Sequence, residues 1–315
     1  MARPRKYSTP LWHPRWWATW LGVALIWLVG QLPWRPLLSL GRGMGWLAWR
    51  LGTDRRRVAE INLALCFPEK SDAERAALAK AALLSTGEAI TEIAGAYNSL
   101  HFDARARLTI EGLEHLKASR DAGRGVLLLG MHFNTIDIGA RLLGEGAGVR
   151  FSVVYRPNDN PALEWMIRHG RRKYVDQYLD RSDMRGLVRT LRAGEVCWYA
   201  PDQDYGVRGA IWAPFFGVPA ATLVATARIV RMSGADLIPC AHYRLPGGRY
   251  LIRFGAPLQD FPSGDDLADC TRVNQVVEQA IAFAPEQYLW VHKRFKHQPD
   301  GASPYGPRKR RRRRR

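Results

Sequence analysis

From residue 125 onward, short apolar runs alternate with stretches of helical periodicity. "GVLLLG" (125–130), "VRFSVVY" (149–155), "EVCWYAP" (195–201), "DLIPCAHY" (236–243) and "RYLIRFG" (249–255) have the length of strands and are bounded by turn residues. Helices are predicted between them over 137–144, 161–173, 183–193, 220–233 and 267–283. This alternation indicates an α/β fold, a central sheet flanked by helices. The last two runs are joined through "RLPGG", which predicts one antiparallel hairpin and therefore a mixed sheet. Upstream, residues 55–98 read as helices, with Ser71 as N-cap of an alanine-rich stretch. No internal repeat is present.

The N-terminus has a different pattern. Nineteen uncharged residues, Trp16 to Trp34, lie between Arg15 and Arg35. That is close to the minimum for a helix crossing a hydrocarbon core. Trp16, Trp17, Trp20, Trp27 and Trp34 sit mostly near the ends, where indoles favour a membrane interface. No small-residue cleavage pattern follows, so an anchor is expected rather than a signal peptide. Pro33, Pro36 and the amphipathic "LLSLGRGMGWLAWRL" suit a segment lying along a membrane surface. Arg3, Arg5, Lys6 and Arg15 precede the run; Arg35, Arg42, Arg50 and Arg55 to Arg57 follow it. The charge rule thus gives no clean orientation. A full span, a shallow insertion with both flanks on one side, and a buried amphipathic hairpin all remain open. Three regions follow: 1–50 as membrane-associated segment, 51–298 as catalytic domain, and 299–315 as a disordered basic tail.

Composition narrows the partners. Lys and Arg number 47 against 29 Asp and Glu, a formal charge of +18. The run from Arg308 to Arg315, with Lys309, supplies eight of these charges, so the rest of the chain carries +10. A basic body suits phosphorylated lipids, an acidic carrier protein or nucleic acid. The tail has no interleaved aromatic residues, which argues against nucleic acid. Cys66, Cys197, Cys240 and Cys270 are scattered and form neither a zinc pattern nor a disulfide framework, so buried thiols are expected.

"MHFNTIDIGARLLG" (131–144) raises the question of chemistry. Five residues turn an ideal helix through about 500°, which would leave His132 and Asp137 roughly 140° apart. They can meet only if His132 lies in the turn leaving the strand and Asp137 in the first turn of the helix. Ligands of α/β sheets bind there, beyond the carboxyl ends of strands. In that arrangement Asp137 would orient one imidazole nitrogen while the other takes a proton from a substrate hydroxyl. No G-x-S-x-G serine is present, so the attacking hydroxyl would belong to the substrate. Alone, H-x4-D is a weak signal.

More motifs follow in order: "INLALCFPE" (61–69), "YRPNDNP" (155–161), "HGRRK" (169–173), "WYAPDQDYG" (198–206), "PFFGVPAAT" (214–222) and "APEQYLWVHKRFK" (284–296). Together with 131–144 they resemble the late acyltransferases of lipid A biosynthesis, which add secondary lauroyl, myristoyl or palmitoleoyl chains. The resemblance runs from about Gly41 to Gln298. It implies a glycerolipid-acyltransferase-like fold and transfer from an acyl carrier protein thioester to a hydroxyl of a phosphorylated, Kdo-bearing lipid A precursor. It places the catalytic domain on the cytoplasmic face of the inner membrane, in contact with membrane lipids. His132 would be the base and Asp137 its orienting acid. Arg171 would bind phosphate or steady the reacting group, and Asp202 is the remaining motif acid. Arg156 and Asp204 join these two as candidate substrate-binding residues. No metal or other cofactor is required. The acyl chain would need an apolar slot, expected partly from the N-terminal segment and "PFFG".

Plainer readings stand beside these. Arg171, Arg172 and Lys173 would make a solvated helix face. Arg156 would pair with an acid at a strand exit, and Asp202 and Asp204 would cap a turn. Tyr288, Trp290 and Phe295 would be core, and His169, His242 and His292 structural. The nearest functional rivals are a membrane acyltransferase acting on another glycolipid or glycerophospholipid, and a hydrolase that activates water with the same base.

Overall fold

The computed structural model describes residues 10–306. Arg3, Arg5, Lys6 and the arginine run 308–315 lie outside the described residues. Five helices come first: α1 (Trp17–Gly30), α2 (Trp34–Arg50), α3 (Asp54–Cys66), α4 (Asp72–Asn98) and the short α5 (Ala104–Arg107). Pro33 divides the apolar run, because its ring fixes φ and it has no N–H to continue α1. The 14 residues of α1 span about 21 Å, and no described helix is long and apolar enough to cross a membrane. Ser71 caps α4 as expected, accepting from the Glu74 N–H while the Glu74 carboxylate accepts from the Ser71 N–H.

Helices α2 and α4 touch through glycines. A Cβ built on Gly87 would stand 2.7 Å from the Gly45 Cα, and one on Gly45 would stand 2.7 Å from the Leu84 Cα. Gly87→Ala gains about 1 kcal/mol of helix propensity, but forced overpacking costs about 1–3 kcal/mol. The backbone contact cannot yield as a side-chain tip would, so the cost should win. A lowered Tm in a thermal melt is expected; a raised one would mean that the helices separate freely.

The sheet elements follow in the order β1 (Leu108–Glu111), α6 (Leu113–Asp121), β2 (Val126–Leu129), α7 (Ile136–Arg141), β3 (Phe151–Tyr155), α8 (Pro161–Arg171), β4 (Val175–Asp180), α9 (Met184–Arg192) and β5 (Val196–Tyr199). Then come β6 (Ala210–Phe215), β7 (Val218–Leu223), α10 (Ala225–Ser233), β8 (Asp236–Leu245), β9 (Arg249–Phe254) and α11 (Asp266–Phe283). Seven strands form one sheet in the order β1-β9-β8-β2-β5-β3-β4. Only β8–β9 is antiparallel, so the sheet is mixed as expected.

Both faces are covered, which is why β2 is apolar at every position. Val126, Leu128, Ile238, Cys240 and Ile252 pack with Trp34 and Leu37 of α2, Ala96 of α4 and Ile138 of α7. Leu127, Leu129, Cys197 and Leu237 pack with Leu187 and Leu191 of α9, Ile229 and Val230 of α10 and Val273 of α11. The molecule therefore has three layers, helix–sheet–helix. All four cysteines are buried free thiols.

Four strands were not foreseen. β1 and β4 are edge strands with exposed positions, so they lack the continuous apolar run of inner strands. β6 and β7 form a separate antiparallel hairpin, in which Pro214 faces Pro219. Prolines demote a sequence as a strand, and here they are tolerated because the hairpin has only two strands. Its two turn residues, Phe216 and Gly217, both have positive φ (50° and 76°). The helix expected over 220–233 thus begins only at Ala225. The C-terminal region also differs from expectation up to Gly306: Tyr305 is buried, its hydroxyl meeting the Phe295 N–H and the Asn62 side chain.

Candidate active site

His132 lies in the turn between β2 and α7, and Asp137 in the first turn of α7, as the sequence predicts. They do not pair. His132 Nδ1 is 2.6 Å from Asp202 Oδ1, and the His132 backbone N–H donates to Asp202 Oδ2 at 2.8 Å. The reason is sheet order. β2 and β5 are neighbours with Leu129 opposite Tyr199, and His132 and Asp202 each lie three residues beyond that pair. Parallel neighbours deliver their C-terminal loops side by side. The carboxylate that holds the His132 ring is Asp202.

Asp202 is 2 % exposed. Burial alone would push its carboxyl up, but the His132 imidazole, the two hydrogen bonds from His132 and one from Tyr288 hold it below the ordinary carboxylate range. It stays ionised at neutral pH and fixes the proton on Nδ1, leaving Nε2 as the basic nitrogen. Tyr288 contributes by donating to Asp202 Oδ2 at 3.0 Å. The strand-like segment around it clamps the turn: Phe133 bridges Tyr288, the Leu289 N–H donates to the His132 carbonyl, and the Asn134 N–H donates to the Gln287 carbonyl. Tyr288 is core, as its plain reading held, and it also touches the acid behind the base. The equal spacing of "VLLLGMH" and "VCWYAPD" was the available sequence signal for the His132–Asp202 pair.

Asp137 faces the other way. Its Oδ1 accepts from the Tyr97 hydroxyl at 2.6 Å and from Arg171 Nη2, so one carboxylate ties α7 to α4 and α8. Burial disfavours the Arg171 charge, but Asp137 beside it holds its pKa well above the usual value. Arg171 is therefore not a solvated face; its side chain is 16 % exposed and paired with Asp137. Tyr97 ends the long α4 and carried no signal in the sequence. Arg141 fixes that end by donating to the Gly95 and Ser99 carbonyls.

The other expected residues separate. Arg156 is exposed and sits 3.5 Å from Asp159, the acid pairing of its plain reading, at a strand exit where buried Glu164 accepts from the Tyr155 hydroxyl and the Asn158 N–H. Asp204 is buried: it accepts from the Gly206 N–H, the His297 N–H and the His297 ring, and lies 3.6 Å from Lys296. It anchors the C-terminal segment. His242 is structural; burial lowers its pKa to about 4, and its ring meets Thr135 Oγ1 at 2.8 Å.

Two cavities flank the site. One of about 490 Å³ has His132 at its wall, an apolar floor that includes Val154, Leu187, Leu223 and Ile229, and Arg156 and Arg181 among its polar lining. The second, about 50 Å³, lies under α7 on the opposite face of the sheet, among Leu143, Phe151, Val153 and Ile252. Two buried nitrogens without hydrogen-bond partners, Arg171 Nε and His242 Nε2, belong to residues that line it. Trp198 walls both cavities and lies edge-on to His132, with ring centroids 6.5 Å apart. Neither the N-terminal segment nor Pro214–Gly217 lines either cavity; the larger one is walled from β3, β5, α9, β7 and α10. Phe215 and Phe216 pack against core rings including Tyr288 and Trp290.

The family model for bacterial lipid A biosynthesis acyltransferases matches residues 5–297. The lipid A biosynthesis lauroyltransferase of Escherichia coli strain K12 is 43% identical over 303 residues, covering 94% of this chain and 97% of that protein. The palmitoleoyltransferase of the same strain is 36% identical, with 95% and 97% covered, and its myristoyltransferase 31%, with 93% and 91% covered. A match this long, on a chain that sets a histidine–carboxylate pair at the ends of two parallel strands beside an apolar cavity, makes this protein a member of the bacterial lipid A biosynthesis acyltransferases.

Proposed function

We propose that the enzyme moves a fatty acyl chain from an acyl carrier protein thioester to a hydroxyl of a phosphorylated, Kdo-bearing lipid A precursor. The observation that carries this reading is the two-point grip of Asp202 on His132, which engages Nδ1 and leaves Nε2 clear of that carboxylate on a residue that lines the larger cavity. The acyl chain lies on the apolar floor of that cavity, with its thioester carbon near Nε2. His132 takes the proton of the acceptor hydroxyl as the oxygen attacks. The C–S bond breaks, an ester forms, and the thiolate leaves and regains a proton. Asp202 stabilises the transient imidazolium.

Detergent-purified protein should be incubated with a Kdo-bearing, tetra-acylated lipid A precursor and carrier protein loaded with twelve-, fourteen- or sixteen-carbon chains. Mass spectrometry should find one added acyl mass, absent with His132→Ala. Free fatty acid without transfer would instead make the enzyme a hydrolase. An untouched thioester would reject this donor–acceptor pair.

The acceptor is a membrane lipid, and we place the enzyme on the cytoplasmic face of the inner membrane. The support is a large exposed apolar surface. On α1, Trp17, Leu21, Leu25 and Leu28 recur at helical spacing and are 64, 74, 61 and 58 % exposed. On α2 and just beyond, Leu40, Met44, Leu47 and Leu51 repeat the pattern. Such a stripe suits burial at a lipid interface, and Arg35, Arg42 and Arg50 on α2 suit anionic headgroups. Leu21→Glu/Leu25→Glu should strongly reduce co-sedimentation with anionic vesicles while leaving the thermal melt unchanged. Undiminished binding would move the contact elsewhere.

A further inference from the structure

We propose that the surface of α9 and α10 is the docking site for the acidic, acyl-bearing donor protein. This rests on the reading above that the donor is a carrier protein. The two helices pack side by side on the sheet face opposite α4 and α7. Their sequences, "MRGLVRTLR" and "ATARIVRMS", hold five arginines and no acid. Arg185, Arg189 and Arg192 follow the i, i+4, i+7 spacing that puts side chains on one face, and all three are exposed. Leu187 and Leu191 face inward. Exposed Arg228 and Arg231 extend the basic area onto α10.

The partners of these arginines sharpen the case. Many surface arginines elsewhere are neutralised, as in Arg150–Asp176, Arg124–Asp236 and Arg253–Glu111. Arg192 donates to the Met232 carbonyl and Arg228 lies 3.7 Å from Asp266. Among the described residues, Arg181, Arg185, Arg189 and Arg231 have no ion pair or hydrogen bond from their guanidinium groups. The nearby acids are engaged locally: Asp183 caps α9 through the Gly186 N–H, and Asp180 accepts from Ser182.

Position links this surface to the chemistry. Arg181, Met184 and Leu187 line the His132 cavity, as do Ala225 and Ile229 of α10. The basic stripe thus begins at the cavity that would receive the acyl chain. The apolar stripe of α1 and α2 belongs to the other helical layer, so the lipid acceptor and the protein donor have separate approaches. An acidic protein fits the donor side by charge, and a membrane fits the other by apolar area.

Steady-state transfer by the full chain would be measured with acyl carrier protein and with the coenzyme A thioester of the same chain. Arg185→Glu/Arg189→Glu should raise KM for the carrier substrate at least tenfold and flatten its dependence on salt. Activity with the small thioester should change less than twofold. Arg105→Glu/Arg120→Glu, an equal charge change at exposed positions off these helices, should leave both donors unaffected. An unchanged carrier KM, or equal losses with both donors, would overturn the docking site while the carrier reading stands. No transfer from the carrier by the unmodified enzyme would overturn both.

Discussion

Replacing Asp202 with asparagine should lower kcat by about 10³–10⁴-fold, the scale seen when a buried acid behind a catalytic histidine loses its charge. The amide keeps the size of the side chain but cannot stabilise the imidazolium, and its NH₂ can hold the wrong tautomer against Nδ1. Folding should survive, because the turn is also clamped by residues 287–289. Tyr288→Phe removes only the 3.0 Å hydrogen bond to Asp202 and should cost far less. The carboxyl is held low, so its contribution to stability is complete above its unfolded value of about 4 and fades as pH falls through the lower folded value. Asp202→Asn should abolish that part of the acid dependence. If Asp202→Asn keeps near-normal kcat in a transfer assay, Asp202 does not support the base.

The sequence carried the sheet wherever both faces are covered. β2, β3, β5, β8 and β9 are apolar enough to be read directly, and the "RLPGG" connection marked the antiparallel pair of the seven-stranded sheet. Edge strands and the proline-bearing hairpin lacked that contrast. The site was half legible for a related reason. A turn position for His132 follows from local spacing, but its partner follows from sheet order, which a chain read from end to end does not display. Asp137 was nearer in sequence, and Asp202 is nearer in the fold because β5 lies beside β2. Tyr97 and the clamp at 287–289 act over sequence separations of 40 and more than 150 residues. Only packing reveals contacts of that kind.

Asp137→Ala should destabilise the fold by about 3–5 kcal/mol, the range for breaking a buried ion pair and leaving one charge behind. Arg171 would remain 16 % exposed with no acid in reach, and Tyr97 would lose its acceptor. Three helices would lose the carboxylate on which they converge. Asp137→Leu/Arg171→Met should recover most of that stability, since an apolar pair of similar size often matches a buried ion pair. Transfer should recover together with the fold in the double variant, because neither residue lines the larger cavity that holds His132. Thermal melts and transfer rates on the same preparations would show both recoveries. Should Asp137→Ala melt like the unmodified protein yet lose activity as completely as His132→Ala, Asp137 acts on the reactants and the scaffolding role fails.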